Sequence, residues 1–339
     1  MSNFKSFMSE EFAQRDQGMN DQRLLSPDHE RMLWEFRNGK PIGSPCHIPQ
    51  LSKIFSWKRG FQYCFTGNPN AGKTTFTLFL MLIKSMVDGW KWLIWTPEML
   101  DSYTYRELGK KKVKITATDV YDELIYMRLG KNIYKHYETR YGYKQCSEQE
   151  YAEGLEWVKK YFFVIQPEDN KYQSLIDNFQ YFYETLGTDG FLADPFKNLI
   201  FEDNARADNI LHRAFADVNL MAKDTDSVWI WIAHPKSMTR PIGEDSTPRV
   251  VSAFDLAGGA AWYNSMDFIG SYHRPNIHIK YSDPMGEFHS LKIRKQQLVG
   301  LPGSFENIEF LFRSNRFYFD GVCPVDGSNI YESTKMNRE

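Results

Sequence analysis

The pattern of apolar and polar positions changes character several times along the chain. Through about residue 25 it has no period, only polar residues and charges of both signs, which predicts a mobile lead-in. Ser26-Pro27-Asp28 then opens a helix that runs towards Asn38. Ser26 suits the N-cap and Pro27 the first helical position, Asp28 and Glu30 suit the first turn, and Gly39 and Pro41 stop it. Its apolar stripe of Met32, Leu33 and Phe36 either packs on its own domain or docks on a neighbouring subunit. From about residue 50 short apolar runs alternate with helical segments. Gln62–Thr66, Lys91–Trp95, Phe191–Ala193 and Ser227–Ala233 read as buried strands. Lys73–Asp88 is apolar nearly all round and reads as a buried helix ended by Gly89. Residues 204–223 read as a helix with Ile210, Leu211, Phe215, Val218 and Leu220 on its apolar face. Residues 101–185, rich in Tyr and Lys, read as mostly helical. After a proline-punctuated loop at 235–250 the pattern turns to strands: Asp267–His273, Asn276–Tyr281, Glu287–Arg294, Asn307–Arg313 and Arg316–Phe319. The expected fold class is therefore α/β, with a mostly parallel central sheet flanked by helices and antiparallel strands at its C-terminal edge.

Composition narrows this only slightly. The 339 residues carry 41 Lys+Arg against 43 Asp+Glu, a net charge of −2, so no global basic field drives nucleic-acid binding. With 42% hydrophobic and 25% charged residues, the chain is neither disordered, collagen-like nor a coiled-coil rod. Cys46, Cys64, Cys146 and Cys323 lie far apart, which speaks against a zinc site or a disulfide framework. The N-terminus lacks the apolar core of a signal peptide. The apolar stretch from Phe76 to Ile83 is far short of the roughly 20 residues that span a bilayer. The expectation is a soluble protein of a reducing compartment with no membrane partner.

Chemistry enters with Gly67-Asn68-Pro69-Asn70-Ala71-Gly72-Lys73-Thr74, followed by Thr75. It fits G-x-x-x-x-G-K-S/T directly after a predicted strand and at the start of a predicted helix, the context a phosphate-binding P-loop requires. The glycines let backbone N–H groups curl around phosphates, and the helix N-terminus adds positive potential. Lys73 reaches phosphate oxygens and the Thr74 hydroxyl can ligate Mg²⁺. Glu98, one helix and one strand further on, either polarises a water for attack on a γ-phosphate or caps a following helix. Asp194, after Phe191-Leu192-Ala193, is either a Mg²⁺ partner or a turn residue before Pro195. His234 ends the Ser227–Ala233 strand, where ligands of open α/β sheets bind; it either senses the γ-phosphate or is a satisfied strand-end histidine. Lys292 and Arg294 share one face of a strand, as a solvated edge or as cations that reach a neighbour's γ-phosphate. Lys236, Arg240 and Arg249 in the 235–250 loop are candidates for holding nucleic acid, and Lys110–Lys112 reads as a solvated face.

Taken together and in order, these segments resemble the RecA-like hexameric replicative DNA helicases of the DnaB and Twinkle type. FTGNPNAGKTT, WTPEM, LADPFKNL, WIAHPKS, LAGGAAWYN with Asp267, and LKIRKQQLVGLPG are similar to that family's successive motifs. The resemblance spans roughly residues 45–320 and implies a division into an arm and linker helix (1–45), an ATPase domain (46–325) and a tail (326–339). It implies ATP, or another NTP or dNTP, with Mg²⁺, held by Gly67, Asn70, Ala71, Gly72, Lys73, Thr74 and Thr75. Thr74 and Asp194 would hold the metal, Glu98 would activate water, and His234 would sense the γ-phosphate. Lys292 and Arg294 would act on the neighbouring subunit's nucleotide, and Arg316 and Tyr318 would approach the base. It further implies a homohexameric ring that moves single-stranded DNA 5′ to 3′ in replication. A separate primase, polymerase or loader would be a further partner, and the setting would be cytoplasmic, host or viral. The alternatives are a recombinase-like DNA-dependent ATPase that does not unwind, and a nucleotide-gated assembly scaffold.

Overall fold

A computed structural model describes residues 27–108, 110–201, 207–236, 248–278, 280 and 282–331. The chain divides into two units between residues 42 and 43. In the first, a helix covers His29–Asn38, with Asp28, not Ser26, as its N-cap: the Asp28 side chain accepts from the Arg31 amide. Ser26 itself and the lead-in before it lie outside the described residues. The helix leaves Met32, Leu33, Trp34 and Phe36 exposed.

The second unit is built on a nine-stranded sheet. Its strands in chain order are β1 (Gln62–Thr66), β2 (Trp92–Trp95), β3 (Phe162–Val164), β4 (Gly190–Ala193), β5 (Val228–Ile232), β6 (Phe268–His273), β7 (Met285–Ile293), β8 (Gly303–Leu311) and β9 (Arg316–Phe319). Their spatial order is β9-β8-β7-β6-β1-β5-β4-β2-β3. The strands from β6 to β3 are mutually parallel, and β7, β8 and β9 add antiparallel pairs on one side. This is the mixed sheet the sequence predicts.

Because both faces of a parallel sheet are covered, its strands are apolar throughout and alternate residues feed two cores. Tyr63, Phe65, Ile94, Leu192, Ile230 and Ile232 pack on one side with the Lys73–Asp88 helix. Cys64, Leu93, Trp95, Phe191, Trp229 and Trp231 pack on the other with helices Tyr172–Leu186 and Ala207–Asp224. Gln62 bridges the second core: its side chain donates to the Phe215 carbonyl (2.7 Å) and accepts from Trp231 Nε1 (3.1 Å).

Two predicted segments differ. Within 101–185 the helices Thr118–Leu129, Lys135–Tyr141, Glu148–Tyr161 and Tyr172–Leu186 are present, but Asp101–Glu107 and Lys110–Thr116 form an antiparallel hairpin. Tyr103, Tyr105, Val113 and Ile115 at alternate positions favour extended chain over helix. The Asn276–Tyr281 strand is replaced by a turn at residues 275–278, residues 279 and 281 lying outside the described set. All four cysteines are free. Among the described residues no helix is long and apolar enough to cross a membrane.

Candidate active site

Four consecutive neighbours in the sheet, β1, β5, β4 and β2, end on the same edge because they are parallel. Each delivers a functional group just beyond its last residue. Thr66 of β1 leads into the P-loop, β5 into His234, β4 into Asp194, and β2 into Glu98. The crevice at the carboxyl ends of such strands is where α/β sheets bind ligands.

The P-loop backbone requires its glycines. Gly67 has φ +152°, and a Cβ there would lie 2.2 Å from the Tyr272 carbonyl oxygen of β6. Gly72, at φ +92°, caps the Lys73–Asp88 helix without a side chain. Lys73 is buried and donates to the Asn68 carbonyl (3.0 Å), which leaves further ammonium protons for a phosphate. Burial pulls its pKa down to about 8, against the pull of Asp194. The Thr74 hydroxyl donates to Asp194 Oδ2 (2.6 Å). Asp194, next to a cis bond to Pro195, is 4% exposed, and burial pushes its pKa up to about 6. Burial, reinforced by Lys73 and Lys197, pulls His234 down to about 4, so its imidazole is neutral at physiological pH. Glu98 pairs with Lys197 (3.0 Å), both side chains about half exposed.

This donor set suits a magnesium nucleotide. Among the described residues no cluster of three His, Cys, Asp or Glu side chains could hold a metal alone. Thr74 and Asp194 offer two oxygens, which fits an ion that keeps waters and takes its remaining ligands from phosphates. A cavity of about 680 Å³ adjoins the P-loop. Asn70, Ala71, Gly72 and Thr75 line it on one side, and Tyr272, Phe310, Phe312 and Phe317 form an aromatic wall on the other.

No protein-family model and no curated relative matches the chain. Solved structures do. The isolated ATPase domain of a helicase superposes with a TM-score of 0.67 at 16% identity, covering 87% of this chain and 99% of that one. A DnaB-like replicative helicase, described with its interactions with primase, superposes with a TM-score of 0.62 at 16% identity, covering 91% of this chain and 70% of that one. The fold is that of a DnaB-like helicase ATPase core.

Within this DnaB-like fold the remaining candidate residues lie apart from the P-loop edge. Lys292 and Arg294, on β7 and just beyond it, sit at the opposite end of the sheet, where Ile293 pairs with Phe268 at the start of β6. There Arg294 pairs with buried Asp267 (3.1 Å) and donates to the Ser265 carbonyl (3.2 Å), while Lys292 donates to the Tyr263 carbonyl. Both cations thus cover the C-terminal end of the Gly259–Ser265 helix, which suits its dipole. Burial, with Arg294 alongside, lowers the Lys292 pKa to about 8.

Arg316 and Tyr318 are buried on β9 and line a different cavity; only Phe317 between them reaches the one beside the P-loop. Alternation along a strand dictates this split. Arg316 instead donates to the Met127 (2.6 Å) and Arg128 carbonyls and pairs with Asp326.

Lys236 is exposed, and its amide donates to the Asp255 carbonyl (2.9 Å). Arg249 pairs with Asp255, and its carbonyl accepts from Asn68 Nδ2 of the P-loop (3.4 Å). Arg240 lies outside the described residues.

Sequence reasoning missed Lys197 and the aromatic wall. Lys197 had one signal, a cation just after Asp194 in Asp194-Pro195-Phe196-Lys197. Tyr272 had the same strand-end position that singled out His234. Phe310 and Phe312 had none, because nothing local says which way a solvent-edge aromatic turns.

Proposed function

We propose that the chain is an ATP-driven DNA helicase that works as a homohexameric ring. The observation that supports this best is the convergence of Lys73, Thr74, Glu98, Asp194 and His234 at one edge of a DnaB-like sheet. The bound nucleotide, ATP or another NTP or dNTP with Mg²⁺, supplies the electrophilic phosphorus. Lys73 and the P-loop amides hold the phosphates, and Thr74 and Asp194 hold the metal. Glu98, freed from Lys197, takes a proton from the attacking water. Neutral His234 hydrogen-bonds the γ-phosphate position and responds to its loss. The cavity walled by Tyr272, Phe310, Phe312 and Phe317 takes the base, a role the resemblance gave to Arg316 and Tyr318.

In the ring, Lys292 and Arg294 leave their helix end and complete the neighbour's site; they stand at the far end of their own sheet and cannot serve their own nucleotide. The exposed stripe of the His29–Asn38 helix packs on an adjacent subunit. Lys236, Arg240 and Arg249 hold single-stranded DNA in the channel and move it 5′ to 3′. A separate primase, polymerase or loader joins the ring, and the work is replicative, in the cytoplasm of a cell or a virus's host. The three segments 1–45, 46–325 and 326–339 act as arm, motor and tail.

The cis contacts of Arg294 support a second reading, a nucleotide-gated scaffold or non-unwinding ATPase in which this pair never leaves home. One experiment separates the two. Glu98→Gln should bind nucleotide normally yet lose about 10²-fold or more in turnover, and the wild-type protein should displace a strand from a forked duplex only with ATP. Full turnover in Glu98→Gln, or ATP-independent displacement, overturns the motor reading.

A further inference from the structure

The hairpin of Asp101–Glu107 and Lys110–Thr116 begins directly after the Pro97–Met99 turn that carries Glu98. It is an unusual object. Nearly every residue of both strands is exposed, and Leu108 at its tip is 98% exposed. A two-stranded ribbon with neither face buried is marginal by itself in water, so its sequence needs another reason to stay extended.

The pairing register supplies one. Tyr103 lies opposite Lys114, Tyr105 opposite Lys112, and Glu107 opposite Lys110, so these six side chains share one face. The two tyrosine rings are 6.1 Å apart and tilted by 48°, so neither covers the other's face. Lys112 pairs with Glu107, but Lys110 and Lys114 have no acidic partner among the described residues. The other face carries Ile115 and Val113 with Arg106 and Lys111. Five cations against two carboxylates make the ribbon strongly basic in a chain whose net charge is −2.

We propose that the Tyr103–Tyr105 face is a binding site for single-stranded nucleic acid, separate from the 235–250 loop. Exposed aromatic rings flanked by ammonium groups are what a single strand needs: unpaired bases stack on the rings while phosphates meet the lysines. A duplex has no free base faces to offer, and an acidic protein would not use the rings. The site rests on the helicase reading and adds to it a contact joined to the Glu98 turn, which lets strand engagement bear on water activation.

The test is fluorescence anisotropy of a labelled oligothymidylate with the full chain, with and without ATP, over a salt series. Tyr103→Ala/Tyr105→Ala should weaken binding about tenfold or more. Lys110→Gln/Lys114→Gln should reduce the slope of log affinity against log salt by about 1.4, near 0.7 for each lysine. Val113→Ser/Ile115→Ser on the opposite face should leave binding unchanged. All three variants should keep the DNA-free ATPase rate, which reports that the fold is intact. Wild-type affinity and slope in both the tyrosine and lysine variants overturn the site while leaving the motor intact. A loss confined to the opposite-face variant overturns it in favour of a protein contact. No binding by the wild-type chain in any nucleotide state overturns the helicase reading and the site with it.

Discussion

Replacing Asp194 with asparagine should make the nucleotide-free protein more stable at neutral pH. Asp194 is almost fully buried, and burial raises its carboxyl pKa to about 6. A raised carboxyl favours the folded state at low pH. Below about 4 both folded and unfolded forms are protonated; between about 4 and about 6 the folded form keeps a proton that the unfolded form has lost; above about 6 the fold carries the full penalty of a buried charge. A shift of about two units corresponds to roughly 3 kcal/mol lost as pH rises through that window. Asparagine is nearly isosteric and still accepts from the Thr74 hydroxyl, so it should recover up to about 3 kcal/mol near neutral pH and almost nothing near pH ~4. His234 works in the opposite direction. Its depressed pKa gives stability that is present above about 6.5 and disappears as pH falls towards about 4. That contribution is common to both proteins, so the difference between them isolates Asp194. The assay is urea unfolding of wild type and Asp194→Asn in EDTA, without nucleotide, at a series of pH values. A variant no more stable than wild type near neutral pH, or a gap independent of pH, would refute the strained carboxylate. The same variant should lose Mg²⁺-dependent nucleotide binding, since stability is traded against the site.

Gly67→Ala should abolish nucleotide binding by titration calorimetry, because its Cβ meets a backbone carbonyl at 2.2 Å and backbone cannot move aside cheaply; normal binding would mean that the loop is pliable. Lys197→Ala should change stability by less than about 1 kcal/mol, its ion pair being half exposed. It should nevertheless raise the His234 pKa seen by NMR titration, since one of the two cations that depress it is gone. Arg316→Met should destabilise the fold by about 2–3 kcal/mol, through three lost charge-assisted contacts, with nucleotide affinity unchanged. Phe317→Ala should do the reverse and weaken nucleotide binding; selective loss of nucleotide affinity in Arg316→Met would restore the base contact to that arginine.

Much of this was legible from local signals. The P-loop announces itself because its chemistry is contiguous, and buried strands announce themselves because a parallel sheet leaves no polar face. Glu98 was harder. One helix and one strand after Lys73 suggest a strand next to β1, yet β5 and β4 lie between β1 and β2. Sheet order is a long-range property that spacing does not encode. The hairpin was lost for a related reason: a Lys-rich, Tyr-rich stretch has helix formers and strand formers in similar number, and its period of two is visible only once its ends are fixed. At Arg316 the strand was read correctly, but which of its faces meets the P-loop helix depends on how β9 lies across that helix, and no local pattern carries that.

The hydrogen bond from Asn68 to residue 249 has a consequence of its own. The acceptor is a main-chain carbonyl, so the link between the phosphate loop and the far end of the 237–247 segment does not depend on which side chain occupies position 249. The sequence of that segment can therefore drift, and with it the ligand it grips, while the wiring to the phosphate loop persists. Asn68 alone is not free to drift, which makes it the position where a single change would uncouple the two without disabling either.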